Sequence, residues 1–490
     1  MISKEHQIKN SFIYLIPVIV GNLIPLVTLP IFTRILSKED YGVLALAQVY
    51  AIFVIGIANF GLTIGYERNF FEYRDQGKAA ELLYSTLFFV ITLFFLFSIF
   101  TYLFKFQLSK WIIGSSDHAN LLFWAYCSTG VMSLKVYYLT YFKNMENAKP
   151  LVWYTIDESI LGVILSLILV VYMKAGVIGL VWGQLFASLV VFSLLALRFR
   201  RLLPASFNWP ILKESLKLSF PLTPRIFLGV IGNQFDKYMI GLLATVGGVG
   251  IYSIGQKVAL IVFTCMTAIQ NVFSPQVYKR MFDLGAQGGK AVGQYLTPFA
   301  YVSISLGLMI SLFSEEIIFL LTPKSYHGAT DIVIILSMLY GSYFFGKQPQ
   351  LIFAKKTYMT SLLTMVGIVL NVGINIPFII KWGTIGAAWG TLIAGLLSCT
   401  ISFVISQHYY RIQWEYKRLA QIFGIFFIAS LSIILMRYFM IDYLFRFMTK
   451  VVFLSLYVYL GIKMNIISAE NLALVRSLIR PKGRTVLENN

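Results

Sequence analysis

Gly176-Val177-Ile178-Gly179-Leu180-Val181-Trp182-Gly183 and Gly383-Thr384-Ile385-Gly386-Ala387-Ala388-Trp389-Gly390 are one phrase written twice, and each copy opens an apolar run long enough to cross a bilayer. The offset is 207 residues, and Gly42 and Gln48 echo in Gly250 and Gln256 at an offset of 208. Glycine and tryptophan are uncommon enough for this to mark an internal repeat. The chain therefore reads as a membrane protein of two like halves, the arrangement of carriers whose halves rock about a site near the bilayer midplane.

Composition agrees. Hydrophobic residues make up 58% of the chain and charged residues 12%, against about 25% charged in soluble domains. The net charge of +19 is scattered in short pieces between apolar runs, with no stripe or tail of the kind nucleic acid requires. Cys127, Cys265 and Cys399 lie inside apolar stretches without ligand-like spacing, so neither a disulfide framework nor a zinc site is expected. The first run, 11–36, is too long for a signal-peptide core and is expected to be retained.

Apolar runs near 11–36, 43–64, 79–104, 119–142, 151–173, 177–197, 219–245, 249–273, 293–321, 328–353, 358–380, 384–406, 419–440 and 442–463 predict an all-α integral membrane fold of about fourteen spans. The repeat divides them into a six-helix bundle over 1–205, a second over 206–410, and two additional helices with a polar tail over 411–490. Of the forty Lys and Arg residues, twenty-five fall on the side of the N-terminus and ten on the other. That places both termini in the cytoplasm by the positive-inside rule. Prolines interrupt the first span of each half, Pro17, Pro25 and Pro30 in one and Pro221 and Pro224 in the other, a pointer to a binding cavity.

The remaining five cations, with three acids, sit at membrane depth, where a charge costs at least about 2.5–3.5 kcal/mol unless it meets water or a partner. Arg225 and Asp236 are eleven residues apart, which at 100° per residue returns nearly to one helix face. Lys237 adjoins Asp236, and Lys257 reaches a similar depth on the next span, so Asp236 and Lys257 are placed to pair. Toward the cytoplasm, Lys135 stands near Asp157 and Glu158, as a salt bridge or a protonatable site. Lys347 has no acidic neighbour in sequence. The cation excess argues for an anionic substrate such as a diphosphate, while the acids are available to a coupling proton or sodium ion. His6, His118, His327 and His408 lie in termini or loops without metal spacing, and no phosphate-binding glycine loop is present, so no cofactor is expected.

Three phrases carry a family resemblance: Thr33-Arg34-Ile35-Leu36-Ser37-Lys38-Glu39-Asp40-Tyr41-Gly42, Phe235-Asp236-Lys237-Tyr238-Met239-Ile240-Gly241 and Gly250-Ile251-Tyr252-Ser253. With the order of spans over about 1–410, the chain resembles the polysaccharide-unit flippases of the multidrug/oligosaccharidyl-lipid/polysaccharide exporter superfamily, the O-antigen and capsule repeat-unit translocases. The resemblance implies a V-shaped pair of bundles around a cationic cavity in the bacterial inner membrane. It implies movement of undecaprenyl-diphosphate-linked oligosaccharide between leaflets by alternating access, alongside other membrane proteins of polysaccharide assembly. Arg34, Asp236 and Lys237 inherit importance from the motifs; Arg225, Lys135, Lys257 and Lys347 are assigned to substrate from depth alone, and Asp236, Glu158 and Asp157 to the coupling ion of an antiporter. A cation-coupled drug or metabolite exporter would carry an acidic cavity, and a membrane polymerase would carry a large outer loop; the charge balance and the short loops oppose both.

Overall fold

The computed structural model describes residues 20–21, 24–73, 75–345 and 349–467, all helices, turns and connectors, with no strand among them. Among the described residues ten helices are long and apolar enough to span a bilayer, and one of these, Tyr358–Tyr409, covers two expected spans. Of the other three expected spans, two are full-length helices: Ala119–Asn144, and Thr223–Leu243, which carries Asp236 and Lys237 and is correspondingly more polar. The remaining one, 11–36, lies largely outside the described residues.

The helices that position the site are α1 (Leu29–Ile35), α2 (Lys38–Ala58), α3 (Leu62–Phe70), α4 (Gln76–Ile112), α5 (Ala119–Asn144), α6 (Ala148–Leu167) and α7 (Gly176–Leu202) in the first half. The connector helix α8 (Trp209–Ser219) follows, then α9 (Thr223–Leu243), α10 (Val246–Leu284), α11 (Gly288–Leu312), α12 (Ser314–Leu321), α13 (Ala329–Ser342), α14 (Pro349–Phe353) and α15 (Thr357–Tyr409). The chain closes with α16 (Tyr416–Tyr438) and α17 (Tyr443–Lys463).

The doubled phrase is doubled in space. Gly176 and Gly383 have φ of 61° and 59°, a left-handed backbone that glycine adopts without a Cβ penalty. Gly383 folds the 53-residue α15 into two antiparallel limbs, and Gly176 starts α7 back along α6. The next glycines then let the limbs touch: a Cβ on Gly183 would stand 2.3 Å from the Ser166 hydroxyl, and one on Gly390 2.5 Å from the Asn375 side chain. We call the end of the bundle bearing these turns distal and the opposite end proximal.

The halves meet along α2 and α10. Ser37 caps α2 reciprocally with Asp40, accepting from its backbone N–H at 3.1 Å while its own N–H donates to the Asp40 carboxylate at 2.9 Å. Thr245 caps α10 by accepting from the Gly248 N–H at 3.0 Å. One turn into each helix a glycine admits the other's first carbonyl: a Cβ on Gly42 would lie 1.9 Å from the Val246 oxygen, and one on Gly250 1.9 Å from the Lys38 oxygen. Both members of this contact are related by the 208-residue repeat offset, so it is a self-complementary pairing of one half with the other. Further distal ties run from the Thr33 hydroxyl to the Leu321 carbonyl (3.1 Å) and from the Tyr326 hydroxyl to the Leu36 carbonyl (2.7 Å).

At the proximal end α8, which falls between the expected spans 177–197 and 219–245, buries Ile211, Leu212, Ser215 and Ser219 against α3 and α4. Asn208 caps it and also donates to Glu81 at 2.7 Å, while Asn69 donates to Ser215 at 2.9 Å. The two C-terminal helices are fixed to the second half. Tyr301 and Tyr457 each donate to the other's carbonyl, at 3.0 and 2.7 Å, with stacked rings. Lys450 is fully buried in α17 against Glu316 (2.6 Å) and Glu315 (3.4 Å).

Candidate functional site

Two polar centres lie at depth, one in each half. The first is a cavity of about 340 Å³ walled by α1 and the residues just before it, α2, α5, α6 and α7. Lys135 on α5 forms an ion pair with Glu158 on α6, and Ser188 on α7 donates to the same carboxylate. Lys135 and Glu158 are 7% and 8% exposed, a degree of burial that an ion pair tolerates only with each charge compensated. Asp157, one residue away on another face, is exposed and takes no part.

A third charge enters this cavity from the other half. Lys257 on α10 lines it, with its ammonium 5.4 Å from the centroid of the Tyr41 ring, a distance at which a cation is attracted by the aromatic face. Tyr41 is itself held edge-on by Tyr326, with centroids 5.9 Å apart. The expected pair between Asp236 and Lys257 is therefore not formed. Equal depth did not bring them together, because Lys257 leaves α10 toward α2 whereas Asp236 is enclosed by its own half.

The second centre is built on Asp236, which is 5% exposed. Its carboxylate accepts from the Tyr252 hydroxyl on α10 (3.1 Å), the Thr391 hydroxyl on the second limb of α15 (3.1 Å) and the Asn375 amide on the first limb (3.3 Å). The second amide hydrogen of Asn375 reaches the Thr391 oxygen at 3.1 Å, leaving the hydroxyl proton free for Asp236. Three neutral donors thus surround a buried carboxylate, and among the described residues no basic side chain stands within 4.0 Å of it. Lys237, the adjacent residue, donates to Gln234 at 3.3 Å.

The other expected residues are dispersed. Arg34 ends α1 at the distal surface, exposed and donating back to the Pro30 carbonyl at 3.0 Å, away from both centres. The Arg225 side chain and Lys347 lie outside the described residues. The sequence reading missed Tyr252, Asn375, Thr391 and Ser188. Asn371 and Asn375, amides one turn apart inside an apolar span, were the available signal, since such groups in lipid need partners.

Residues 8–277 match the family described as polysaccharide biosynthesis protein. The chain belongs to that family. Beyond the family match, 188 residues are 26% identical to the probable low-salt glycan biosynthesis flippase Agl15 of Haloferax volcanii, covering 36% of this chain and 39% of that relative. Among solved structures, the lipid II flippase MurJ in an inward closed conformation superposes with a TM-score of 0.68 at 16% identity, over 96% of this chain and all of that one. An inward-facing multidrug resistance MATE transporter of the MOP superfamily gives 0.59 at 15% identity, over 81% and 95%. At such identities the likeness is one of fold, so this member of the polysaccharide biosynthesis family has the MOP transporter fold and is a multi-pass membrane protein. Its matches are named as flippases and transporters rather than as enzymes.

Proposed function

We propose that this protein is a flippase for a lipid-diphosphate-linked oligosaccharide, moving undecaprenyl-diphosphate-linked repeat units across the bacterial inner membrane by alternating access. The observation that carries the reading is Lys257, a cation of the second half presented inside the first-half cavity beside Lys135 and Glu158. A diphosphate bridging Lys257 and Lys135 would touch both halves at once, so its binding energy would depend on their relative position. Arg34, Arg225, Lys237 and Lys347 are assigned to the same substrate. The moving units are 1–205 and 206–410, with 411–490 carried by the second. Both termini face the cytoplasm in this reading, and the glycan is destined for O-antigen, capsule or a related surface polymer.

Asp236 is assigned to a coupling proton or sodium ion. Neutralising it would weaken the Tyr252 hydrogen bond, and Tyr252 lies five residues before Lys257 on α10, so the ion and the substrate cation share one helix. The antiport cycle therefore runs through the position of α10 rather than through a direct pair of Asp236 with Lys257. Glu158 is the second acid available for coupling, with exposed Asp157 beside it.

Deleting the gene tests the substrate: lipid-linked oligosaccharide should accumulate on the cytoplasmic leaflet, and unchanged leaflet distribution would sink the assignment. Lys257→Ala at matched expression should lower glycan export without lowering protein abundance. Asp236→Asn should retain lipid-linked substrate binding in liposomes while losing its response to an imposed ion gradient. A gradient response equal to wild type would move coupling to Glu158.

A further inference from the structure

The first limb of α15 carries Thr360, Thr364, Gly367, Asn371 and Asn375, at steps of four, three, four and four residues. Those steps keep one helix face from the proximal end to Asp236. The opposite face carries Leu362, Met365, Val369, Ile376 and Ile380, all exposed as lipid-contacting residues would be. The returning limb repeats the pattern with Ser402, Ser398, Gly395 and Thr391, and α9 adds Gly229, Gly232 and Asp236 at steps of three and four. Three helices therefore turn small or uncharged polar residues toward one axis.

Along that axis lie two cavities of about 320 and 270 Å³, which share Tyr343, Thr364 and Ser398. The proximal one extends past Thr360 and Ser402, and the deeper one reaches Asn371 and Thr391. Thr391 then donates to the Asp236 carboxylate at 3.1 Å. From Thr360 to Asn375 the helical rise is about 22 Å. The larger cavity has room for about ten waters at about 30 Å³ each, and Gln270, Tyr343, Thr360, Thr364, Ser398 and Ser402 on its walls are polar partners for those beside them. None of the described residues lining either cavity is charged, so none of them would hold an anion or trap a cation before the carboxylate.

We propose that this corridor is a hydrated path for a monovalent cation, proton or sodium, from the proximal face to Asp236, separate from the Lys135–Glu158–Lys257 cavity. The proposal rests on the coupling role of Asp236. The cation in this reading travels inside the second half, between α9 and the two limbs of α15, and does not pass through the cavity lined by Lys135, Glu158 and Lys257. Gly229, with open space where a side chain would project, is the point at which the path can be plugged.

The test has two arms. With Cys127, Cys265 and Cys399 replaced by alanine, Ser398→Cys is treated in proteoliposomes with a membrane-impermeant cationic methanethiosulfonate. Its thiolate forms only in water, so modification should be about tenfold faster than for Leu362→Cys on the lipid-turned face. Equal rates would overturn the corridor, whatever Asp236 does. In the second arm Gly229→Phe is driven by a sodium gradient and, separately, by a proton gradient; the response to whichever gradient drives wild type should be lost, while lipid-linked substrate still binds. A wild-type response from Gly229→Phe would overturn the path. A labelled Ser398→Cys combined with an Asp236→Asn variant that still follows the gradient would instead remove the coupling role, leaving a hydrated corridor that carries no coupling ion.

Discussion

Gly42→Ala is the smallest change that addresses the contact between the halves. The added Cβ would stand 1.9 Å from the Val246 carbonyl oxygen and 2.7 Å from its carbon, both backbone atoms held by the first turn of α10. To reach ordinary contact at 3.4 Å the two helices must part by about 1.5 Å at the distal end. Overpacking of this kind costs roughly 1–3 kcal/mol, and here the cost falls on the distally closed state, since α2 and α10 meet across the two halves. A bias of that size shifts a two-state equilibrium by about 5–150-fold. Spin labels at Glu39→Cys and Leu242→Cys should report it as growth of a longer-distance population in pulsed dipolar spectroscopy. Gly56→Ala on the same helix is the control, because its Cβ would meet Val230 at 3.5 Å, ordinary contact. A Gly42→Ala protein that is folded and has the wild-type distance distribution would refute the reasoning, as would an equal shift in Gly56→Ala.

Glu158→Gln should strand Lys135 in a cavity wall and lower stability by roughly 3–5 kcal/mol, read as thermal inactivation in detergent. The double variant Lys135→Met with Glu158→Leu should recover most of that loss yet fail in glycan export; full export would reduce the pair to a structural latch. Lys450→Met leaves Glu316 without its cation, although Glu315 keeps Arg446 at 2.6 Å and Arg437 at 3.2 Å. Its expected effect is an earlier thermal transition with substrate binding unchanged, and loss of binding would contradict the purely anchoring role of α17. Tyr73, outside the spans, has its hydroxyl pKa pushed up to about 12, chiefly by donating to Glu214 on α8. A raised folded value means that this contact is intact below the ordinary tyrosine value of about 10 and disappears as pH climbs through 12. Absorbance titration of wild type against Tyr73→Phe should show that late component, and Glu214→Gln should bring it earlier.

The doubled glycine phrase was legible because a backbone turn with positive φ can be written in few ways, and both turns occur where the phrase begins. The ten long apolar helices among the described residues followed from apolar length, and the Lys135–Glu158 pair followed from depth. Depth alone misled at Asp236 and Lys257, because height along a bundle says nothing of which way a side chain leaves its helix. The neutral partners of Asp236 were hidden for a related reason: a threonine or asparagine in an apolar run is also a common packing residue, and only the fold of α15 at Gly383 places Asn375 and Thr391 on the same carboxylate. The α8 helix was lost among basic residues whose count reports orientation but whose buried face, Ile211, Leu212 and Ser215, needs α3 and α4 beside it to be recognised.

The two halves share a backbone plan and have parted in chemistry. In the first, the cavity holds a compensated pair of opposite charges and receives a further cation from outside; in the second, a single carboxylate is held by hydroxyl and amide donors. Under the proposed function, the difference follows from what each half would have to release. A strongly held diphosphate leaves only if its cations are drawn apart, which a cation mounted on the opposite half achieves when the halves move. A small cation leaves only if its carboxylate is not over-committed, and three neutral donors satisfy the charge without replacing the ion. Because Tyr252 and Lys257 ride on α10, which also supplies Val246 and Gly250 to the distal contact, a change at the carboxylate, the position of Lys257 and the closure between the halves would act through one rigid element. The reading requires α10 to move as a unit: glycine substitutions at Ser253 and Gln256, which loosen the helix between Tyr252 and Lys257 without changing its register, should leave each centre's partners in place and yet weaken the coupling of the gradient to transport.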